Sequence, residues 1–292
     1  DVAPSRGLGD VYKRQKINWI NKSTGYLGKE KTEKIRAKAT AKGQEAGLKN
    51  ILYVHFTMDD NLSLSEEIKA RYRSMYTGVF FKRYILGLWA MAEGIIYDMF
   101  DADKHVQKIT DFFRRLKDGG RYVSCDYGTQ NATVFLLWNK GNNGKWYCVR
   151  EYYYSGRAKG KQKTDGEYAD DFEKWLDGVP IRAVIVDPAA ASFIAELRKR
   201  GYRVLKADND VEDGIREVAS MLNMGLLVFC DTCINTIMEF GSYIWDEKAA
   251  QQGEDRPVKE NDHAMDAVRY FVYTILSKRT GRVKNKAKYG FD

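Results

Sequence analysis

Cysteine and proline are scarce, four of each in 292 residues. No apolar run approaches the roughly 20 residues that a membrane-spanning helix needs. Cys125, Cys148, Cys230 and Cys233 are too few and too irregularly spaced for a disulfide framework, which suits a reducing cytoplasm. Cys230 and Cys233 form a C-x-x-C, but no second pair or suitable histidines follow. Two small buried thiols are therefore expected there in preference to structural zinc. With 44% hydrophobic and 30% charged residues, the composition excludes a disordered or fibrous chain. Internal repeats and low-complexity tracts are also missing, and a chain of this length buries a full-sized core unaided.

Charge is present but unevenly placed. Of the net +8, residues 1–50 carry 12 basic against 5 acidic side chains and residues 278–292 carry 6 against 1, which leaves the middle mildly acidic. Basic ends around an acidic body fit a phosphate-backbone partner, the lysines and arginines attracting the polyanion while carboxylates hold cations. Solvated, mobile ends are the plainer alternative. Residues 1–15 have no periodicity and no apolar core of a secretion signal, so a non-native leader is expected there.

Residues 16–50 are polar and lysine-rich, with a helical pattern over residues 31–46 that has little apolar face. The run ILYVHF, residues 51–56, has strand character. Ser63 or Ser65 can cap the helix that follows, and Gly78 is expected to end it. The aromatic and aliphatic stretch from Phe80 to Phe100 reads as packed core or a domain interface. From Arg121 come three strand-like runs, RYVSCDYG, ATVFLLW and KWYCVREYYY, the last two joined by NKGNNGK, whose Asn-Gly content favours a tight hairpin. After a glycine and lysine loop over residues 155–166, helical and strand patterns alternate, ending in a long helix over about residues 262–278. A meander followed by alternating helices and strands predicts an α/β fold. Its mixed sheet, antiparallel meander plus parallel strands with helices on both faces, is the ribonuclease H-like arrangement.

Three stretches each deliver an aspartate to this scheme. By the strand period of two, Tyr122, Ser124 and Asp126 share one face, and Asp126 closes the strand. Asp187 likewise ends an apolar strand, where an Asx turn with Pro188 is the plainer reading. In NDHAMDAVRYFVY, Asn261 or Asp262 can cap the helix, which puts His263 and Asp266 on one side. Hard oxygen donors suit Mg²⁺ or Mn²⁺, which keep several waters and need few carboxylates. Phosphodiester hydrolysis gives two such ions a task. On that scheme Asp126 bridges both ions, Asp187 and Asp266 hold one each, and His263 orients water or phosphate or shuttles a proton.

The stretches HFTMDDNLSLSEE, MYTGVFFKRYILGLWAMAEGIIYDMF, CDYGTQNATVFLLW, VIVDPAA and DHAMDAVRY together resemble the large terminase subunit of tailed bacteriophages, particularly its C-terminal nuclease, over about residues 50–277. The resemblance implies a ribonuclease H-like endonuclease, using Mg²⁺ or Mn²⁺, that cuts concatemeric viral double-stranded DNA during packaging. It also implies the portal protein and small terminase subunit as partners and the packaging motor in the host bacterial cytoplasm as the place of action. Asp126, Asp187 and Asp266 match the family's catalytic acids, and His263 a histidine beside the third acid in some members. A complete large terminase also carries a packaging ATPase, yet no G-x-x-x-x-G-K-[ST] phosphate loop occurs here, so ATPase activity is not expected. Residues 16–93 then read as the end of the ATPase region with its linker, 94–278 as the nuclease and 279–292 as a basic tail.

Arg157, Lys159, Lys161 and Lys163 lie between glycines, in a loop that either contacts DNA phosphates or is simply solvated. No base-reading helix or zinc finger is evident, so little sequence specificity is expected. Two other readings stay open: a different ribonuclease H-like nuclease such as a resolvase or transposase, and a non-catalytic DNA-gripping or portal-docking module. Whether the three carboxylates cluster discriminates between cutting and docking.

Overall fold

A computed structural model describes residues 19–277 except 89, 91, 109, 111–119, 129, 130, 252 and 253. The expected leader and basic tail lie outside the described residues. The chain divides into two compact units, one from residues 1–94 with 244–257, the other from residues 95–243 with 258–292. The run expected from 94 to 278 is thus interrupted by a segment that clusters with the first unit.

In the first unit α1 spans Thr24–Thr40 but is broken at Gly28, whose φ of 72° is not helical; Ser23 caps the short first part by accepting from Tyr26 N–H, and the longer part overlaps the helix expected over residues 31–46 and ends at Thr40. The second helix, α2 (Glu66–Met75), is capped by Ser65 through Ile68 N–H. Gly78 does not end α2. That helix stops at Met75, Tyr76 turns extended, and Gly78 opens α3 (Gly78–Tyr84). Residues 51–56 form no strand, because Leu52, Val54 and Phe56 are exposed and the segment joins no ladder among the described residues. β-propensity alone does not pair a backbone. Phe80, Ile85 and Ala92 are buried while Leu86 and Leu88 are exposed, so that stretch is core only in part. Buried Arg83 donates to the Ala90 carbonyl and pairs with Asp255, which ties residues 244–257 into this unit.

The second unit is built on seven strands: β1 (Val106–Gln107), β2 (Tyr122–Asp126), β3 (Ala132–Lys140), β4 (Trp146–Ser155), β5 (Ala183–Val186), β6 (Val204–Lys206) and β7 (Leu227–Cys230), in the order β1-β7-β4-β3-β2-β5-β6. The hairpin-linked β2, β3 and β4 are antiparallel, whereas β5 runs parallel to β2, β6 to β5, β7 to β4 and β1 to β7. This is the mixed sheet the sequence predicts. Only β1 goes unforeseen, two residues being too few to show a period.

Among the described residues, the longer helices beside the sheet are α4 (Asp165–Leu176), α5 (Ala191–Lys199), α6 (Val211–Asn223), α7 (Ile234–Ser242) and α8 (His263–Phe271). The period of two in β2 decides what each face meets. Val123 and Cys125 join a buried cluster with Phe135, Phe172 of α4 and Phe193 of α5. On the opposite face, Tyr122 and Trp138 lie against Phe271 of α8 at ring centroids of 6.1 and 4.4 Å, and Trp138 Nε1–H donates to Ser124 Oγ at 2.9 Å. Asp126 shares that face. The last helix is shorter than expected, since after Phe271 the backbone widens into a π-helical stretch over Val272–Leu276.

Candidate active site

β2 closes on Asp126, and Asp187 follows the last residue of β5. Cys125 is in register with Val186 on these parallel neighbours, so the two aspartates leave the sheet side by side beyond its strand ends. α8 crosses above them. His263 Nδ1 lies 3.0 Å from Asp126 Oδ2, Asp266 sits one turn on, and after a further turn Tyr270 O–H donates to Asp187 Oδ2 at 2.6 Å. Asp187 Oδ1 also accepts from Ala189 N–H at 2.7 Å, so the Asx turn is formed as well. Asp126, Asp187, His263 and Asp266 line one cavity of about 350 Å³, together with Asp262, Lys259 and Arg269.

Each acid already has protein partners. Asp266 Oδ1 accepts from Arg269 Nη2 at 2.9 Å, and Lys259 Nζ lies 3.5 Å from Asp266 Oδ2 and 3.2 Å from Asp262 Oδ2. The Arg269 side chain is 2% exposed and donates from Nη1 to the carbonyls of Asn209 and Asp210 at 2.8 and 3.0 Å. Gly214 makes room for it, since a Cβ there would stand 2.5 Å from Arg269 Cγ.

The start of α8 is held differently from the sequence expectation. Asp262 occupies the N-cap position but makes no side-chain capping bond, its carboxylate being turned to Lys259, and Asn261 sits in the left-handed region at φ 51°. The first turn is instead satisfied from α7: Glu239 Oε2 accepts from Ala264 N–H at 2.7 Å and Met265 N–H at 3.2 Å. Sequence reasoning misses both Lys259 and Glu239. The first is one lysine in a polar stretch, but the glutamate is the only charged residue in INTIMEFGS and carries a readable signal.

The basic loop is more structured than expected. Ser155 caps a short helix, Gly156–Lys159, on which Arg157 and Lys159 are exposed. Exposed Lys161 lies 3.7 Å from Glu167, whereas half-buried Lys163 pairs with Asp171 and sits 4.1 Å over the Tyr154 ring. Tyr152 stacks on Phe135 at 4.7 Å, so it packs as part of the protein interior.

No three His, Cys, Asp or Glu side chains among the described residues stand close enough to hold one ion together. What the cavity offers is hard-oxygen chemistry. Magnesium is commonly held by one or two carboxylates with the remaining positions taken by water and phosphate. Asp126 also carries a penalty as an anion, being buried beside Asp266, that the His263 bond offsets only in part, and a nearby dication would relieve it. In donor chemistry the residues fit Mg²⁺ or Mn²⁺.

Residues 125–274 match the terminase RNaseH-like domain family, a stretch that contains all four candidate residues and most of the sheet. The chain belongs to that family. It is 26% identical over 247 residues to the large terminase subunit of Escherichia phage T5, covering 80% of this chain and 54% of that protein. The large terminase of a thermophilic bacteriophage is 57% identical in a crystal structure that superimposes with a TM-score of 0.72 over 78% of this chain and 57% of that one. A crystal structure of that same thermophilic phage protein with ATP-gamma-S gives 57% identity and a TM-score of 0.73. The chain therefore spans a little over half the length of these relatives. A resolvase or transposase is set aside, and the sheet is a ribonuclease H-like one. Among the described residues, no helix is long and apolar enough to cross a membrane.

Burial sets the electrostatics of this terminase site. It pushes the Asp126 carboxyl up to about 6, with the charge of Asp266 adding to the rise and the His263 bond opposing it. Burial disfavours the His263 imidazolium, but the bond to Asp126 and the surrounding carboxylates outweigh it and hold the ring above its usual value. Burial also lifts Glu239 to about 7 against the bonds from Tyr153, Ala264 and Met265. All three folded-state values lie above the unfolded ones, so each contribution is complete below the ordinary value and is lost as pH rises through the raised one. The metal-free protein should therefore melt at a lower temperature at pH 8 than at pH 5.5 in EDTA, with a flatter slope for Asp126→Asn. A melting temperature that climbs with pH over that window would contradict this.

Proposed function

We propose that this terminase domain is a divalent-metal-dependent endonuclease that cuts concatemeric viral double-stranded DNA during packaging, with little sequence preference. The carrying observation is the convergence of Asp126 and Asp187, from adjacent parallel strand ends, with His263 and Asp266, from one helix face, on a single open cavity. Asp126, Asp187 and Asp266 would hold two ions, Mg²⁺ or Mn²⁺, with Asp126 serving both. When bound, such ions supply an activated water and charge on the scissile phosphate. His263, bonded to Asp126, is placed to orient water or accept a proton, and its raised affinity for protons suits that exchange. Lys259 offsets the charge of Asp262 and Asp266 in the metal-free state.

Arg157, Lys159 and Lys161 are the exposed cations proposed to contact DNA phosphates. Lys163, paired with Asp171, is assigned to holding the loop instead. Residues 16–93 are read as the end of the packaging ATPase region with its linker and 94–278 as the nuclease. Portal protein, small terminase subunit and the ATPase half are the proposed partners, acting at the packaging motor in the bacterial cytoplasm. The test is cleavage of supercoiled plasmid by the purified chain with Mg²⁺, Mn²⁺ or EDTA. Cutting with either ion and none in EDTA is expected. A folded chain that binds DNA but cuts with neither ion, even with portal and small subunit added, would favour the docking module.

A further inference from the structure

Two carboxylates stand behind the cavity and connect its helix to the sheet. Glu151, on β4, reaches the open first turn of α7: its Oε1 accepts from Asn235 N–H at 3.1 Å and Asn235 Nδ2 at 2.7 Å, and its Oε2 from Thr236 N–H and Oγ1, both at 2.6 Å. α7 has no side-chain cap of its own at Cys233. On the same helix, Glu239 is buried, 4% exposed. Its Oε2 accepts the Ala264 and Met265 amides and its Oε1 accepts from Tyr153 O–H at 2.9 Å. Glu151 and Tyr153 are two apart on β4 and so share a face. Ala264 and Met265 lie between His263 and Asp266.

A helix start that needed only stability would be capped locally. The residue at that position, Asp262, has the right chemistry for it, yet its carboxylate faces Lys259 and the cavity. The cap has passed to a buried acid on another helix, at the desolvation cost such a group carries.

We propose that Glu239, seated by Tyr153 and by the grip of Glu151 on α7, is a positioning residue for the site: it fixes the first turn of α8 and with it the direction in which His263 and Asp266 enter the cavity. The proposal rests on the reading of that cavity as a metal site. Glu239 does not line the cavity and acts through the α8 backbone, so its loss should loosen metal binding without altering how DNA is gripped.

The test compares Glu239→Ala, Glu239→Gln and Tyr153→Phe with the wild-type chain by amide hydrogen exchange, Mn²⁺ calorimetry and plasmid-cleavage kinetics. Glu239→Ala should lose exchange protection at Ala264 and Met265, bind Mn²⁺ roughly 10–100-fold more weakly, and cut with a lower kcat at an unchanged KM for DNA. Glu239→Gln, which keeps an acceptor oxygen, should recover part of each, and Tyr153→Phe should fall between Glu239→Gln and wild type. Variants that melt earlier but bind Mn²⁺ as wild type does would overturn the proposal, leaving Glu239 a purely structural cap. Should Glu239→Ala not fold, Glu239→Gln and Tyr153→Phe decide by the same criterion. Wild-type protein that neither binds Mn²⁺ nor cuts would overturn the metal reading itself, and this inference with it. Wild-type binding left intact in every folded variant would overturn this inference alone.

Discussion

Asp126→Ala is expected to abolish metal-dependent DNA cleavage while leaving the metal-free protein at least as stable as wild type. Asp126 is the acid assigned to both ions, and ion-borne charge stabilisation is worth several kcal/mol, so a loss of about 10³-fold or more in kcat follows. Stability should not fall, because the carboxylate is held in an unfavourable place: burial and Asp266 push its pKa up to about 6, so at neutral pH the anion works against the fold. The His263 ring released by the substitution is half-buried at the cavity rim, where water can replace its lost partner. Plasmid cleavage and thermal melts in EDTA check the two halves separately. Cutting that persists within about tenfold of wild type, a loss of under about 1.4 kcal/mol, would remove Asp126 from the reacting set.

The opposite outcome is expected at Arg269. Arg269→Met should destabilise the chain by about 3–5 kcal/mol, the usual cost of breaking a buried pair from one side. At roughly 2–4 °C per kcal/mol for a domain of this size, the melting temperature should drop by about 10 °C. The substitution strands Asp266 beside Lys259 and takes the Arg269 donor from the Asn209 and Asp210 carbonyls, the latter keeping Gly214 N–H at 3.3 Å. Asp266→Ala breaks the same pair from the other side, so its loss of activity would mix chemistry with unfolding. Asp266→Asn keeps an acceptor for Arg269 and should stay folded while losing activity. An Arg269→Met protein melting within about 2 °C of wild type would show that the pair contributes little, as some buried pairs do.

What the sequence reveals follows from local periods. A strand period of two places Asp126 on the face with Tyr122 and Ser124, and a helical period places His263 and Asp266 together. Both placements need only neighbouring residues, and the meander needs only a hairpin signal. Partners supplied from elsewhere in the chain are not legible. Nothing near Ala264 announces that Glu239 takes its amide, and nothing near Asp266 that Lys259 and Arg269 share its charge. Residues 51–56 fail for the converse reason, since strand-like residues become a strand only when another segment offers a ladder. Lys163 looks like its neighbours in the basic loop until Asp171 claims it.

The return of residues 244–257 to the first unit bears on how this domain can be inherited or transplanted. The link between α7, which holds Glu239, and α8, which holds His263 and Asp266, is fastened to the N-terminal part by Arg83 on Asp255 and by the Gly94 carbonyl on Trp245. A piece cut cleanly at residue 94 would keep every acid of the cavity but carry Asp255, 2% exposed here, without its countercharge. Recombination between phages that kept the acids of the cavity but swapped what lies upstream would have to bring the matching arginine along.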